Sequence, residues 1–221
     1  MEKISKILIA PSILSGDFAN MGKSVRQIKE WGGDIVHCDV MDGVYVKNLT
    51  FGMPMIAAIK KVSELPLDVH LMITEPERYV EEFIASGADF LTFHPDASKK
   101  PLETLKSIRS KGVKAGIVFN PDVPFEPYKE LIQECDIVLV MSVFAGKGGQ
   151  KFIEESLGKV RLVREYIESN GLNAVIEIDG GINEETAKRA VAAGVRILVA
   201  GSAVFKAEKP EEIIKKMREE R

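Results

Sequence analysis

Three histidines and a few carboxylates carry most of the chemistry this chain can offer. His37 and Asp39 lie two residues apart in Val36-His37-Cys38-Asp39-Val40-Met41, and Asp68 and His70 repeat the spacing in Leu67-Asp68-Val69-His70-Leu71-Met72. Glu177 and Asp179 do so again in Ile176-Glu177-Ile178-Asp179. Residues two apart in a β-strand share a face. Their neighbours Val36, Cys38, Val40, Val69, Leu71, Ile73, Ile176 and Ile178 suit packing against helices, so the ionisable set must point the other way. Carboxylates turned into an interior cost roughly several kcal/mol each unless they are paired or bound to a cation.

His37, Asp39, His70 and Asp179 together make a two-histidine, two-carboxylate set from three segments. Such a set can hold one divalent metal ion with positions left open for substrate, and zinc, iron, manganese and cobalt all suit it. A lone histidine would be read as a satisfied core residue; four such groups on one face resist that reading. Asp68 and Glu177 sit one layer deeper, where they either orient the ligands or form an internal ion pair. His94, in Thr92-Phe93-His94-Pro95-Asp96, either extends the set or supports it structurally.

Glycine supplies a second feature. Gly146-Lys147-Gly148-Gly149, Gly180-Gly181 and Gly201-Ser202 each follow an apolar, strand-like run. Glycine loops at strand ends present backbone N–H groups closely enough to bind phosphate. One such pair could equally be a tight turn, but three on adjacent strands favour phosphate. Lys147 either adds a positive charge or points to solvent.

These residues need a scaffold that turns successive strands inward. Strands are expected at Ile7–Ile13, Asp34–Val40, Leu67–Met72, Phe90–Phe93, Ala115–Phe119, Ile137–Ser142, Ala174–Ile178 and Ile197–Ala200, each apolar on nearly every residue. Between them run helical stretches such as Asp17–Trp31, Glu75–Ser86, Pro101–Lys111, Phe152–Asn170 and Glu184–Ala193, with a last one from Pro210 to the C-terminus. Gly32, Gly87, Gly112, Gly171 and Gly194 close five of these in left-handed C-caps. Eight strand–helix units define an α/β chain folded as a single (β/α)8 TIM barrel over residues 1–221. An open doubly wound sheet would want a glycine-rich turn after its first strand, and Ala10-Pro11-Ser12-Ile13-Leu14-Ser15 has none. In the barrel the polar residues fall late in their strands, at the end where barrel active sites lie.

Composition narrows the partners. Thirty basic against 33 acidic side chains give a net charge of −3, without the basic surplus that nucleic acid binding requires. No run reaches the roughly eighteen apolar residues of a membrane span, and Met1–Lys6 is no secretory signal, so a cytoplasmic protein is expected. Cys38 and Cys135 lie too far apart in sequence to read as a thiolate metal cluster or a disulfide framework.

The residues also resemble, as an ordered series, those of the ribulose-phosphate 3-epimerase family. The matching stretches are Ala10-Pro11-Ser12-Ile13-Leu14-Ser15, His37-Cys38-Asp39-Val40-Met41-Asp42-Gly43, Leu67-Asp68-Val69-His70-Leu71-Met72 and Val140-Met141-Ser142-Val143, then Gly148-Gly149-Gln150, Glu177-Ile178-Asp179-Gly180-Gly181-Ile182-Asn183 and Ala200-Gly201-Ser202. The resemblance implies a (β/α)8 barrel and reversible 3-epimerisation of D-ribulose 5-phosphate and D-xylulose 5-phosphate in the pentose phosphate route of carbohydrate metabolism. It implies that His37, Asp39, His70 and Asp179 bind the metal and that Asp39 and Asp179 are the acid/base pair. Ser12 and His70 are then substrate contacts and the three glycine clusters the phosphate cradle, with Met41, Met72 and Met141 lining the site. The partner is a small phosphorylated ketose, and a homo-oligomer is expected.

Three positions depart from the family pattern. Lys47 stands where the family usually has proline, and Ala145 and Lys147 stand where it usually has proline and phenylalanine. His94-Pro95-Asp96 leans toward the related D-allulose-6-phosphate 3-epimerases, whereas Asp179-Gly180-Gly181-Ile182 leans toward the ribulose-phosphate branch. A sugar-phosphate lyase on the same scaffold would want a lysine beside its aspartates, where this chain has histidines and methionines. A non-catalytic sugar-phosphate binder would not need both aspartates.

Overall fold

The computed structural model describes residues 6–219. Met1–Lys6, apart from Lys6, and residues 220–221 at the end of the last expected helix lie outside them. Among the described residues, eight strands form one parallel sheet: β1 (Leu8–Pro11), β2 (Val36–Met41), β3 (Leu67–Met72), β4 (Phe90–Phe93), β5 (Lys114–Phe119), β6 (Ile137–Met141), β7 (Val175–Asp179) and β8 (Ile197–Ala200). Each pairs with its sequence neighbour, β1 pairs with β8, and a parallel bridge between Ser12 and His37 joins β1 to β2. The sheet therefore closes on itself as the expected barrel.

α-Helices α1 (Met21–Glu30), α2 (Met53–Lys60), α3 (Val80–Ala85), α4 (Pro101–Ser110), α5 (Ser156–Ser169), α6 (Glu184–Ala193), α7 (Ser202–Phe205) and α8 (Pro210–Arg218) cover its outside. After β5 the connection is instead a 3-10 segment, Glu126–Glu134. Several helices start later than their sequence pattern predicts. Asp17 caps a separate 3-10 turn, Phe18–Asn20, by accepting from the Ala19 N–H, so α1 begins at Met21. Glu75 takes φ 52° and feeds another turn, Pro76–Arg78, before α3. The five predicted glycine caps, Gly32, Gly87, Gly112, Gly171 and Gly194, all have positive φ.

Alternation sorts the strand residues as their types require. Val36, Cys38, Val40, Val69, Leu71, Ile176 and Ile178 join one continuous core under the helices. The barrel interior is uneven. Val118, Leu139, Met141 and Val143 make an apolar wall on the β5–β6 side, while β2, β3 and β7 contribute the buried polar groups His37, Asp39, Asp68, His70 and Glu177. Register sets His37 beside Asp68, Asp39 beside His70 and Met41 beside Met72. One expectation needs correcting: the polar groups do not all lie at strand ends. His37 and Asp68 are the second residues of their strands and Asp39 and His70 the fourth, so the set spans two stacked layers.

Candidate active site

The backbone that carries the two aspartates is clamped from neighbouring loops. The Thr50 hydroxyl donates to the Asp39 carbonyl at 2.7 Å and accepts from the Met41 N–H at 3.0 Å. At β7 the Ser142 N–H donates to the Asp179 carbonyl at 2.7 Å, and the Ser142 hydroxyl lies 2.7 Å from the Gly180 carbonyl. Gly180, at φ 123°, packs against Val143, where a side chain would be 2.8 Å from a backbone nitrogen. Sequence reasoning gave neither Thr50 nor Ser142 a role. A hydroxyl that bonds to main chain leaves no periodic pattern to find.

The predicted ligand set comes together. One donor atom each from His37, Asp39, His70 and Asp179 lie within 4.8 Å of one another. Asp39 is the hub: its Oδ1 is 3.3 Å from both His37 Nε2 and His70 Nδ1, and its Oδ2 accepts from the Ser12 hydroxyl at 2.6 Å. Below it, His37 Nδ1 is hydrogen-bonded to Asp68 Oδ2 at 2.6 Å, and Glu177 Oε1 lies 3.8 Å from the same nitrogen. Asp68 thus orients His37, one of the two roles left open for it. The other face of His70 meets His94, with Nε2 to Nε2 at 2.9 Å.

Electrostatics separate the two aspartates. Burial works to raise the Asp39 pKa, but the charge of His37 and its hydrogen bond, with the His70 ring close by, outweigh it and hold this carboxyl well below its usual range. Asp179 has no such donors; burial and then the Asp39 charge push it up to about 7. Burial also lowers His70 and raises Glu177, the latter helped by the charge of Asp68. Two carboxylates driven apart in this way are suited to opposite protonation states near neutrality.

Above the set opens a cavity lined by Ser12, the sulfur-bearing side chains of Met41, Met72 and Met141, both aspartates, and the loops carrying Gly146, Lys147, Gly148, Gly149, Gly180, Gly181, Gly201 and Ser202. His37 and His70 are fully buried beneath its floor and do not line it. Gln150 braces the longest glycine loop by donating to the Phe144 and Lys147 carbonyls at 2.7 and 2.8 Å. Lys147 is exposed on the cavity rim and Lys47 is exposed on the β2 loop.

A set of metal-ligating side-chain types and three glycine-bearing loops thus share one barrel mouth. A family model described as the Ribulose-phosphate 3 epimerase family matches residues 8–205. The chain belongs to that family. Similar proteins include the ribulose-phosphate 3-epimerase of Bacillus subtilis, 45% identical over 200 residues that span 90% of this chain and 92% of that protein. The ribulose-phosphate 3-epimerase of Mycobacterium bovis is 44% identical over 211 residues, spanning 96% and 91%. Among solved structures, KGPDC from Streptococcus mutans superposes with a TM-score of 0.71 over 96% of each chain at 12% identity, a likeness of fold alone.

In this ribulose-phosphate 3-epimerase family member the β2 loop is pinned by Asp42, whose carboxylate accepts from the N–H groups of Val44, Tyr45 and Thr74, each at 2.8 Å. Burial works to raise its pKa, but these bonds lower it below 3.8. A depressed carboxylate contributes stability that is present above its unfolded pKa and lost as pH falls through the folded value. Melting temperature is therefore expected to drop as pH falls below 3.8, and Asp42→Asn to flatten that limb. An unchanged acid limb in the variant would contradict this account of the loop.

Proposed function

We propose that this chain interconverts D-ribulose 5-phosphate and D-xylulose 5-phosphate by proton transfer at C3 between two aspartates. The observation that carries the reading is the placement of Asp39 and Asp179, from separate strands, at the floor of one cavity rimmed by glycine loops.

C3 of the ketose lies next to the C2 carbonyl. When a carboxylate removes the C3 proton, the C–H electron pair moves toward that carbonyl and an enediolate forms. The second carboxylic acid then delivers a proton to the opposite face of C3. One aspartate ends protonated and the other ionised, which is the arrangement the reverse reaction needs. Asp39, held ionised by its donors, and Asp179, titrating near neutrality, begin in complementary states.

The donor chemistry fits a divalent ion held by His37, Asp39, His70 and Asp179. His70 Nδ1 is buried without a hydrogen-bond partner among the described residues, although it faces the other donors. Zinc, iron, manganese or cobalt suits two imidazoles and two carboxylates. Once bound, such an ion acts as a Lewis acid toward charge that develops on the sugar oxygens. The chain supplies the rest. Met41, Met72 and Met141 exclude water with neutral, polarisable sulfur. Backbone N–H groups of the glycine loops hold the phosphate and so keep C3 in register. Ser12 lines the cavity and can meet the sugar, whereas His70, expected as a substrate contact, lies buried beneath the floor with its Nε2 against His94.

The chain is expected to work as a homo-oligomer; Val44, Leu49 and Phe144 are large apolar side chains left exposed on the loops after β2 and β6. A phosphorylated substrate that does not cross membranes unaided fits a cytoplasmic setting, and no helix among the described residues is long and apolar enough to span one.

Proton NMR of the purified protein with D-ribulose 5-phosphate tests the substrate. Resonances of D-xylulose 5-phosphate are expected to grow to an equilibrium mixture. Turnover of D-allulose 6-phosphate with none of ribulose 5-phosphate would overturn the assignment.

A further inference from the structure

The two histidines of the ligand set are supported differently. His37 has an anionic partner, with Asp68 Oδ2 2.6 Å from Nδ1, the arrangement in which a carboxylate fixes a metal-binding imidazole. His70 has no carboxylate behind it. Its Nδ1 faces Asp39 Oδ1 at 3.3 Å, and its Nε2 faces only His94 Nε2, at 2.9 Å. Both rings are fully buried, their centroids 5.1 Å apart.

His94 is a costly residue to place there. Its Nδ1 is buried without a hydrogen-bond partner among the described residues, an arrangement that packing alone would not favour. Its ring is nonetheless held firmly. Tyr45 covers it with ring centroids 4.7 Å apart, and the Tyr45 hydroxyl donates to Asp96 at 3.1 Å and accepts from Asn120 at 2.9 Å. The loops after β2, β4 and β5 thereby fix the one nitrogen of His94 that meets His70.

We infer that His94 is a positioning residue that accepts a hydrogen bond from His70 Nε2–H and so presents the His70 Nδ1 lone pair to the ion. The inference rests on the metal reading proposed above. It follows from tautomer arithmetic: an imidazole that offers Nδ1 to a cation carries its proton on Nε2, and that proton needs an acceptor. His94 Nε2 is the acceptor in place, which leaves the His94 proton on Nδ1, the nitrogen without a partner. One ligand is thus backed by a charged carboxylate and the other by a neutral ring tied to the mouth loops.

The test compares wild type with His94→Gln and His94→Asn, each stripped by chelator and titrated with Co²⁺. The Gln amide oxygen lies as many bonds from Cα as His Nε2 and can replace the acceptor, whereas the shorter Asn amide stops at the level of Nδ1. His94→Gln is expected to keep the wild-type Kd and visible Co²⁺ absorption. His94→Asn is expected to weaken Co²⁺ binding roughly 10- to 100-fold and to shift the absorption bands. Melting of the ion-free proteins checks that both variants fold. Equal Co²⁺ affinity in the Gln and Asn variants would overturn the inference while leaving the ion site standing. Absence of Co²⁺ binding in wild type would overturn the metal reading, and the inference with it.

Discussion

Replacing Asp179 with asparagine is expected to leave the barrel folded and to lower kcat by about 10²- to 10⁴-fold, the usual contribution of a positioned acid or base. The fold tolerates the change because Asp179 is anchored through its main chain, by the Ser142 N–H on its carbonyl. The amide retains the shape of the side chain but can neither remove the C3 proton nor return one. Assayed at saturating divalent ion and substrate, kcat and kcat/KM fall together, the signature of a group acting in the transition state. Asp39→Asn gives a similar kinetic loss and a second one in stability, because Asp39 also accepts from Ser12 at 2.6 Å and lies 3.3 Å from His37 Nε2 and from His70 Nδ1. Steady-state kinetics with thermal melts separates the two variants. Near wild-type turnover in Asp179→Asn would mean that proton transfer does not need this carboxyl.

Gly181→Ala is expected to be the most damaging single methyl group in the site. Gly181 has φ 62°, and a Cβ there would lie 2.5 Å from the Phe152 backbone nitrogen and 2.8 Å from its Cα. Backbone atoms cannot rotate away as a side-chain tip would, so the turn must open. The left-handed conformation costs about 1–2 kcal/mol for a residue with a side chain, and the overlap costs about 1–3 kcal/mol more. For a chain of this length each kcal/mol is worth about 2–4 °C in Tm. A fall of several degrees is expected, with a raised KM because the turn contains Gly180, the neighbour of Asp179, and is one of the glycine loops proposed to hold the phosphate. Differential scanning calorimetry and a substrate titration check both halves. A variant with unaltered Tm and KM would refute the argument for this glycine.

Much of the site was legible because its residues break a rule. A barrel strand buried on both faces is apolar throughout, so ionisable residues alternating with Val36, Cys38 and Val40, and again with Val69 and Leu71, mark an interior with work to do. The eight-unit count and the absence of a glycine fingerprint in Ala10–Ser15 identified the barrel for a similar reason, since repetition survives errors at element ends. Those ends were less accessible. Asp17 and Glu75 look helical by composition, yet one caps a separate turn and the other takes a left-handed conformation.

The depth of each group along its strand was also hidden, because a single residue of register decides whether His37 sits at a strand end or in the layer beneath. The supporting contacts were harder still. Thr50, Ser142, Tyr45 and Gln150 act through main-chain atoms or partners distant in sequence, as in the Tyr45–Asn120 bond across 75 positions. Pairings of that kind depend on three-dimensional closure and carry no local signal.

The central claim is that two aspartates work on opposite faces of C3, and the origin of the hydrogen delivered to the product tests it most directly. A single turnover of protiated D-ribulose 5-phosphate in deuterium oxide is quenched and the xylulose 5-phosphate examined by NMR and mass spectrometry. The account predicts deuterium at C3 of the product, because the acid that reprotonates C3 is not the base that took the original proton and has exchanged with solvent. Product that retains its original protium at C3 would show one group moving one hydrogen across the molecule, and would contradict the two-aspartate mechanism.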